Sequence, residues 1–465
     1  MKKRMLAAIL AAGAVVLSAA GCSVRNQTEN TDDALKGMEE NPAVTEVNTA
    51  FLPTEGTYEN EEEKREFMRN KQIPEVFSAA YREFCCLTGS EFLKAEEKNA
   101  IYSPLSLYYC LALAAEGAAG ETREEILSLL RYEDMEALTK DCKEAYEFFY
   151  RGEPGKVLKK EAGGEPHSRD VYRLELFQSV WADDGLTLKD SFKETAVSDY
   201  YSDIFRVDFA DDATYEAMED WVELRTRGII RPEIQPSDDI EAAILGTVYF
   251  YDEWTDVFRE LETKPDTFTK SDGSQVTCDF MNRTMGSHGF RRGENYTSSQ
   301  LALKNGSVEF ILPDPGVDVH TFLESPEVLN DVLFGTGEST VGEVVWKVPK
   351  FSYGSELSLK EPLLRLGMKK AFDDADFTNM ASDPLFISSI RQQCHVGIDE
   401  NGVEAAAYTE IMYAGAALPQ GRAEMILDRP FLYVIKNRGG GNPVYRNLRG
   451  SDGLGERPQI RRGKS

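Results

Sequence analysis

Histidine is scarce in this chain of 465 residues: His167, His288, His320 and His395 are the only four. None belongs to a metal-binding pair, and no His-Glu-x-x-His helix occurs. A Gly-x-Ser-x-Gly elbow and a phosphate-binding glycine loop are also missing. The run Gly439-Gly440-Gly441 lacks the strand-to-helix context of a nucleotide loop. Nothing in the pattern recommends an enzyme, and neither a metal nor a cofactor is expected. His167 lies in a polar insertion from Gly163 to Asp170, where it reads as solvated. His395 alternates with strand residues and reads as structural. Basic residues are outnumbered 52 to 80, a net charge of −28. That charge repels phosphate and argues against nucleic-acid partners. Apart from Cys22, the cysteines Cys85, Cys86, Cys110, Cys142, Cys278 and Cys394 show no metal-ligand spacing and are expected as buried thiols.

Long apolar runs are lacking too. The stretch from Leu6 to Val16 is too short for an ordinary spanning helix. Behind Lys2-Lys3-Arg4 it reads as an export signal, residues 1–21. Leu17-Ser18-Ala19-Ala20-Gly21-Cys22 resembles a bacterial lipoprotein cleavage box, with Ala19 where leucine is more usual. Cys22 would then be the lipidated first residue, tethering the chain to the outer face of the cell envelope without spanning it; plain secretion is the alternative. Residues 22–72 are polar and acidic, with the run Glu59-Asn60-Glu61-Glu62-Glu63, and read mostly as a flexible stalk. From Pro74 to Phe84 an amphipathic helix opens the folded domain, residues 73–437. The 42% of hydrophobic residues suffices for a sizeable core.

The most telling stretch lies near the end: Asp399-Glu400-Asn401-Gly402-Val403-Glu404-Ala405-Ala406-Ala407-Tyr408-Thr409. Leu385-Phe386-Ile387 and Val396-Gly397-Ile398 ahead of it are apolar and strand-prone. In a strand, Val403, Ala405, Ala407 and Thr409 share one face, and Glu404, Ala406, Tyr408 and Glu410 the other. A segment that must enter a packed sheet needs such a small face. This pattern resembles the hinge and reactive-centre loop of the serpins, in which a cut loop inserts into a β-sheet.

Other motifs follow in that family's order. Asn99-Ala100-Ile101-Tyr102-Ser103-Pro104-Leu105-Ser106 and Gly117-Ala118-Ala119-Gly120-Glu121-Thr122 resemble its second helix and the following turn. Trp221-Val222 with Thr226, Gly228 and Ile229-Ile230 resembles the approach to its third main-sheet strand. Val248-Tyr249-Phe250 with Trp254 resembles the strand ending at the top of that sheet. Val348-Pro349-Lys350-Phe351 with Leu366-Gly367-Met368, and Asp428-Arg429-Pro430-Phe431, complete the series. The resemblance implies an α+β serpin fold of many helices and three β-sheets. It places Ser103, Ser106, Gln392 and Trp254 in the sheet-opening region. Ser103 before Pro104 also reads as a helix cap. Gln178 and Gly246 stand where asparagines are usual, Gln392 where a histidine is common, and Val403 where threonine or serine is usual.

What the family implies is suicide inhibition of a serine protease, with papain-like cysteine proteases as further candidates. The scissile bond falls at Ala416-Ala417 by loop spacing, with Ala417-Leu418 as the alternative. These small residues suit an elastase-like or subtilisin-like pocket. The target protease would be held as a covalent acyl-enzyme by a monomer. A non-inhibitory surface protein is the rival reading.

The ending departs from the family. Past Ile435 two apolar strands are implied, yet residues 438–465 turn polar and finish Arg461-Arg462-Gly463-Lys464-Ser465. Loss of those strands would leave open edges and forfeit roughly 1.5–3 kcal/mol per large side chain. A codon set exists in which a one-base shift at Gly441 restores Ile-Pro-Phe-Ile-Gly and a stop, so this tail reads as frameshifted, and the product as written could be inactive. Independent sequencing across the codons of Gly439 to Gly441 is expected to recover the apolar frame; an unchanged read would exclude a sequencing error.

Overall fold

The computed structural model describes residues 4–13, 41–50, 72–149, 155–159, 167–237, 240–335, 339–403, 421–437 and 443–448. Nine strands form the main sheet: β1 (Arg4–Gly13), β2 (Val44–Asn48), β4 (Gly155–Lys159), β5 (His167–Asp183), β6 (Ser202–Val207), β7 (Ile240–Glu253), β13 (Phe351–Ser358), β14 (Leu385–Ile398) and β15 (Gly402–Val403). The others are β3 (Ala100–Tyr102), β8 (Lys264–Thr269), β9 (Gln275–Gly293), β10 (Tyr296–Ala302), β11 (Gly306–Pro313), β12 (Ser339–Pro349), β16 (Arg422–Ile426), β17 (Phe431–Asn437) and β18 (Pro443–Leu448). Where three sheets are implied by the resemblance, hydrogen bonding joins the second group into one array. The 19-residue β9 accounts for it, pairing with β8, β10 and β12.

The eight α-helices among the described residues are α1 (Glu75–Leu93), α2 (Pro104–Gly117), α3 (Gly120–Leu130), α4 (Met135–Phe149), α5 (Asp190–Ser198), α6 (Asp212–Arg225), α7 (Pro326–Phe334) and α8 (Lys360–Arg365). The helix expected from Pro74 runs on to Leu93. Thirteen of the fourteen residues of α2 are buried, as an all-apolar helix requires. It lies against one face of the main sheet. Its buried side chains share one core with Leu176 and Val180 of β5 and Ile244 and Val248 of β7. The alternate residues Phe177, Trp181, Ala243 and Leu245 point the other way, into a second core with Trp221 of α6. Strands covered on both faces read as nearly continuous apolar runs, as β7 does from Ala242 to Tyr251.

Three features depart from the sequence reading. Within the expected stalk, Val44–Asn48 forms an edge strand on β6. A register shift between Val44 and Glu46 seats Val44 in the second core and lets Val47 pack against it. Next to it, the Ala50 amide donates to Asp203 at 3.1 Å; Asp203 in turn pairs with buried Arg225 at 2.8 Å. Second, the polar insertion from Gly163 to Asp170 supplies strand as well: His167 opens β5 opposite Lys159. Third, Pro443–Leu448 of the polar tail pairs with β17 and with β3. The strand edge expected to be open is therefore filled, because any backbone except proline's can supply both ladder groups. The six cysteines beyond Cys22 are buried thiols, with no disulfide among the described residues.

Candidate functional site: a slot in the main sheet

Strands β7 and β14 lie on either side of a single strand's width. At one end of the slot, β15 runs antiparallel to both, with Gly402 facing Glu253, and Val403 facing Asp252 and Ile398. Val403 is fully buried. Along the rest of the slot, β1 runs parallel to both flanks.

The segment entering the slot is anchored residue by residue. Trp254 donates its indole N–H to the Asp399 carbonyl at 2.9 Å. Its own amide donates to the Asn401 carbonyl at 2.8 Å, and the Phe258 amide to the Glu400 carbonyl at 2.9 Å. The Asp399 carboxylate accepts from the amides of Asn401 (2.8 Å) and Gly402 (3.3 Å), folding the turn before the strand. Glu400 pairs with Lys350 at 2.7 Å and accepts from Thr263 at 2.8 Å. Gly402 is obligatory here: a Cβ on it would lie 2.8 Å from Glu253 Cα and would also strike the Asp252 carbonyl.

Burial raises two carboxyls at this end, Asp252 and Asp399. It pushes Asp399 up to about 6, against the opposing Asn401 amide. It pushes Asp252 up to about 8, although the Asn305 amide donates to Asp252 Oδ2 at 2.9 Å. Burial also raises Glu400, but Lys350 and Thr263 outweigh it and hold that carboxyl below its usual range.

Beneath the middle of the slot, Gln392 of β14 clamps the start of α2. Its Oε1 accepts from the Ser103 amide at 2.8 Å and its Nε2 donates to the Ser103 carbonyl at 2.9 Å. Glutamine thus supplies both a donor and an acceptor. Ser106 donates to the Gly246 carbonyl at 3.4 Å. Ser103 occupies the cap position of α2, yet its hydroxyl makes no capping bond. That hydroxyl, the Thr247 hydroxyl and the Gln178 amide are buried with no partner among the described residues. Gln178 faces Gly246 across the ladder. Each such group costs on the order of 1–3 kcal/mol, so the sheet's centre is a weak point.

Ser103, Ser106 and Gln392 therefore come together, whereas Trp254 stands apart at the hinge end. Glu400, Gly402 and Val403 form the hinge's entry. Glu404, Ala405, Ala406, Ala407 and Thr409, the bond Ala416-Ala417 and Cys22 lie outside the described residues. Sequence reading missed the roles of Asp252, Thr263, Asp399 and Lys350. An acid pair, Asp252-Glu253, ending an apolar strand was the one available signal.

A family model described as "Serpin (serine protease inhibitor)" matches residues 79–445. Serpin-Z1C of Triticum aestivum is 30% identical over 362 residues, covering 74% of this chain and 87% of that protein. An uncharacterized serpin-like protein of Methanosarcina acetivorans is 26% identical, covering 74% and 79%. Among solved structures, the native thermophilic serpin tengpin superposes with a TM-score of 0.69 at 23% identity, covering 87% and 97%. Human thyroxine-binding globulin complexed with its ligand gives 0.66 at 20%, covering 80% and 97%.

Asp252 makes the stability of the fold depend on pH. Its folded-state value lies above the ordinary value near 4, so the fold favours the neutral form. That contribution is fully present below about pH 4 and is lost as pH rises through about 8. D252N keeps an acceptor for Asn305 and cannot ionise. Its melting temperature should exceed that of the unmodified chain at about pH 8.5, and the gap should shrink by about pH 5. An equal gap at both pH values would show that Asp252 does not titrate in this range.

Proposed function

Because this chain belongs to the serpin family, whose members are in general protease inhibitors rather than enzymes, we propose that it traps a serine protease by inserting its cut loop into the slot between β7 and β14. The observation that carries this reading is β15, which already pairs antiparallel with both flanks at the slot's mouth. The residues that follow it, Glu404 to Thr409, are mostly small and suit a strand buried on one face.

The protease's nucleophilic hydroxyl attacks the carbonyl carbon of Ala416. The peptide bond to Ala417 breaks, its nitrogen leaves with a proton as a free amine, and Ala416 becomes an ester of the enzyme. Water would normally complete hydrolysis. Insertion competes with it: the freed hinge extends β15 along the slot and drags the protease with it. A partly paired central slot and unsatisfied polar groups beneath it are where insertion gains its free energy.

Elastase-like or subtilisin-like enzymes suit the small residues Gly415, Ala416 and Ala417; papain-like cysteine proteases would form the corresponding thioester. The molecule acts as a monomer, tethered through a lipid on Cys22 at the outer face of the envelope or secreted. The polar ending supports a second reading, a serpin-fold surface protein that is cut without trapping. Mixing the chain from Cys22 onward with pancreatic elastase or subtilisin, followed by a denaturing gel, tests both. A denaturant-resistant band at the summed mass is expected. Loop cleavage without that band, including in a version carrying the apolar ending, would favour the second reading.

A further inference from the structure

The slot has a second claimant within the same chain. Met5 to Gly13 of β1 pair with Ile240 to Tyr249 of β7, and Arg4 to Ala12 pair with Leu385 to Cys394 of β14. Both ladders are parallel. The strand β15 enters from the opposite end and antiparallel, with Val403 against Asp252.

The two cannot both extend. Continuing the β15 ladder one residue at a time puts Glu404 opposite Tyr251, Ala405 opposite Phe250 and Ala406 opposite Tyr249. Tyr249 already faces Gly13. The other flank agrees: the same step from Val403 against Ile398 brings Ala406 to His395, next to Cys394, which Ala12 faces. Only Glu404 and Ala405 fit before the loop meets β1.

The sequence of β1, Arg4-Met5-Leu6-Ala7-Ala8-Ile9-Leu10-Ala11-Ala12-Gly13, is apolar and small past its first residue. That suits the central strand of a sheet covered on both faces. β7 and β14 present donors and acceptors to the slot that need partners, and β1 supplies them along most of its length.

We propose that residues 4–13 are an intramolecular plug: the chain that retains them holds its main sheet complete, and loses the capacity to insert its loop until they are removed. The segment read in the sequence as an export leader then has a second role. Cleavage before Cys22, which that reading implies, vacates the slot and arms the inhibitor. The occupancy of the slot stands independently of protease trapping; the arming rests on the inhibitory reading.

The test uses the full chain and a full-chain variant, L6P/A8P, since proline cannot donate to a ladder. Hydrogen exchange read at residues 4–13 should show protection in the unmodified chain and none in the variant. A fluorescent peptide with the sequence of Glu400 to Thr409 should bind the variant about tenfold or more tightly than the full chain, because an occupied slot lowers apparent affinity by its vacant fraction. Unprotected amides at 4–13 in the unmodified chain would overturn the plug, whatever the variant does. Equal peptide affinity for both chains would overturn it as well. A variant that binds the peptide but traps no protease would leave the plug standing and remove the inhibitory reading.

Discussion

The structure depends on one constraint: β7 and β14 lie in the middle of a sheet with a strand's width between them, and the facing backbone groups of both need partners. Most proteins manage such edges at the rim of a sheet, where charge, proline or a loop covers them. Here they are internal, and buried backbone groups left unmatched are costly. Whatever segment can enter as a strand is therefore stabilised there. β15 takes the mouth of the slot and β1 the remainder, in opposite directions.

The surroundings keep the slot separable. One flank, β14, is tied to α2 through Gln392, whose amide bonds both backbone groups of Ser103. The other flank, β7, is hydrogen-bonded to α2 by the longer contact from Ser106 to Gly246. Around these contacts lie buried polar groups without partners. A tightly satisfied network would lock the flanks together; this one does not. At the mouth, by contrast, Trp254, Lys350, Thr263 and Asp399 hold residues 399–403 firmly. On the proposed insertion mechanism, movement is directed into the sheet rather than allowed at the anchor.

Much of this was legible in the sequence. The small-residue run after Gly402, the apolar segments that lie in β7 and β14, and the Ser-Pro start of α2 each carry a local signal. Ser103, Ser106 and Gln392 were named together because their motifs fall in family order, and they lie together beneath the sheet. Trp254 was grouped with them, but strand length separates it: β7 carries it to the far end of the sheet. Asp252, Thr263 and Lys350 were not legible as hinge anchors. Their roles arise from contacts across 137 residues in the case of Thr263 and Glu400, and no spacing encodes that. The strands at Val44–Asn48 and Pro443–Leu448 were missed for a related reason. Pairing with an available edge outweighed composition that reads as stalk or polar tail.

The central claim is that the slot takes up the cut loop. It is tested most directly by hydrogen exchange on the chain from Cys22 onward, before and after elastase cleaves within residues 410–420. The account predicts that amides from Glu404 to Thr409 become protected, together with those of β7 and β14 that face the slot, and that the melting temperature rises. Cleavage that leaves both the exchange pattern and the melting temperature unchanged would contradict it.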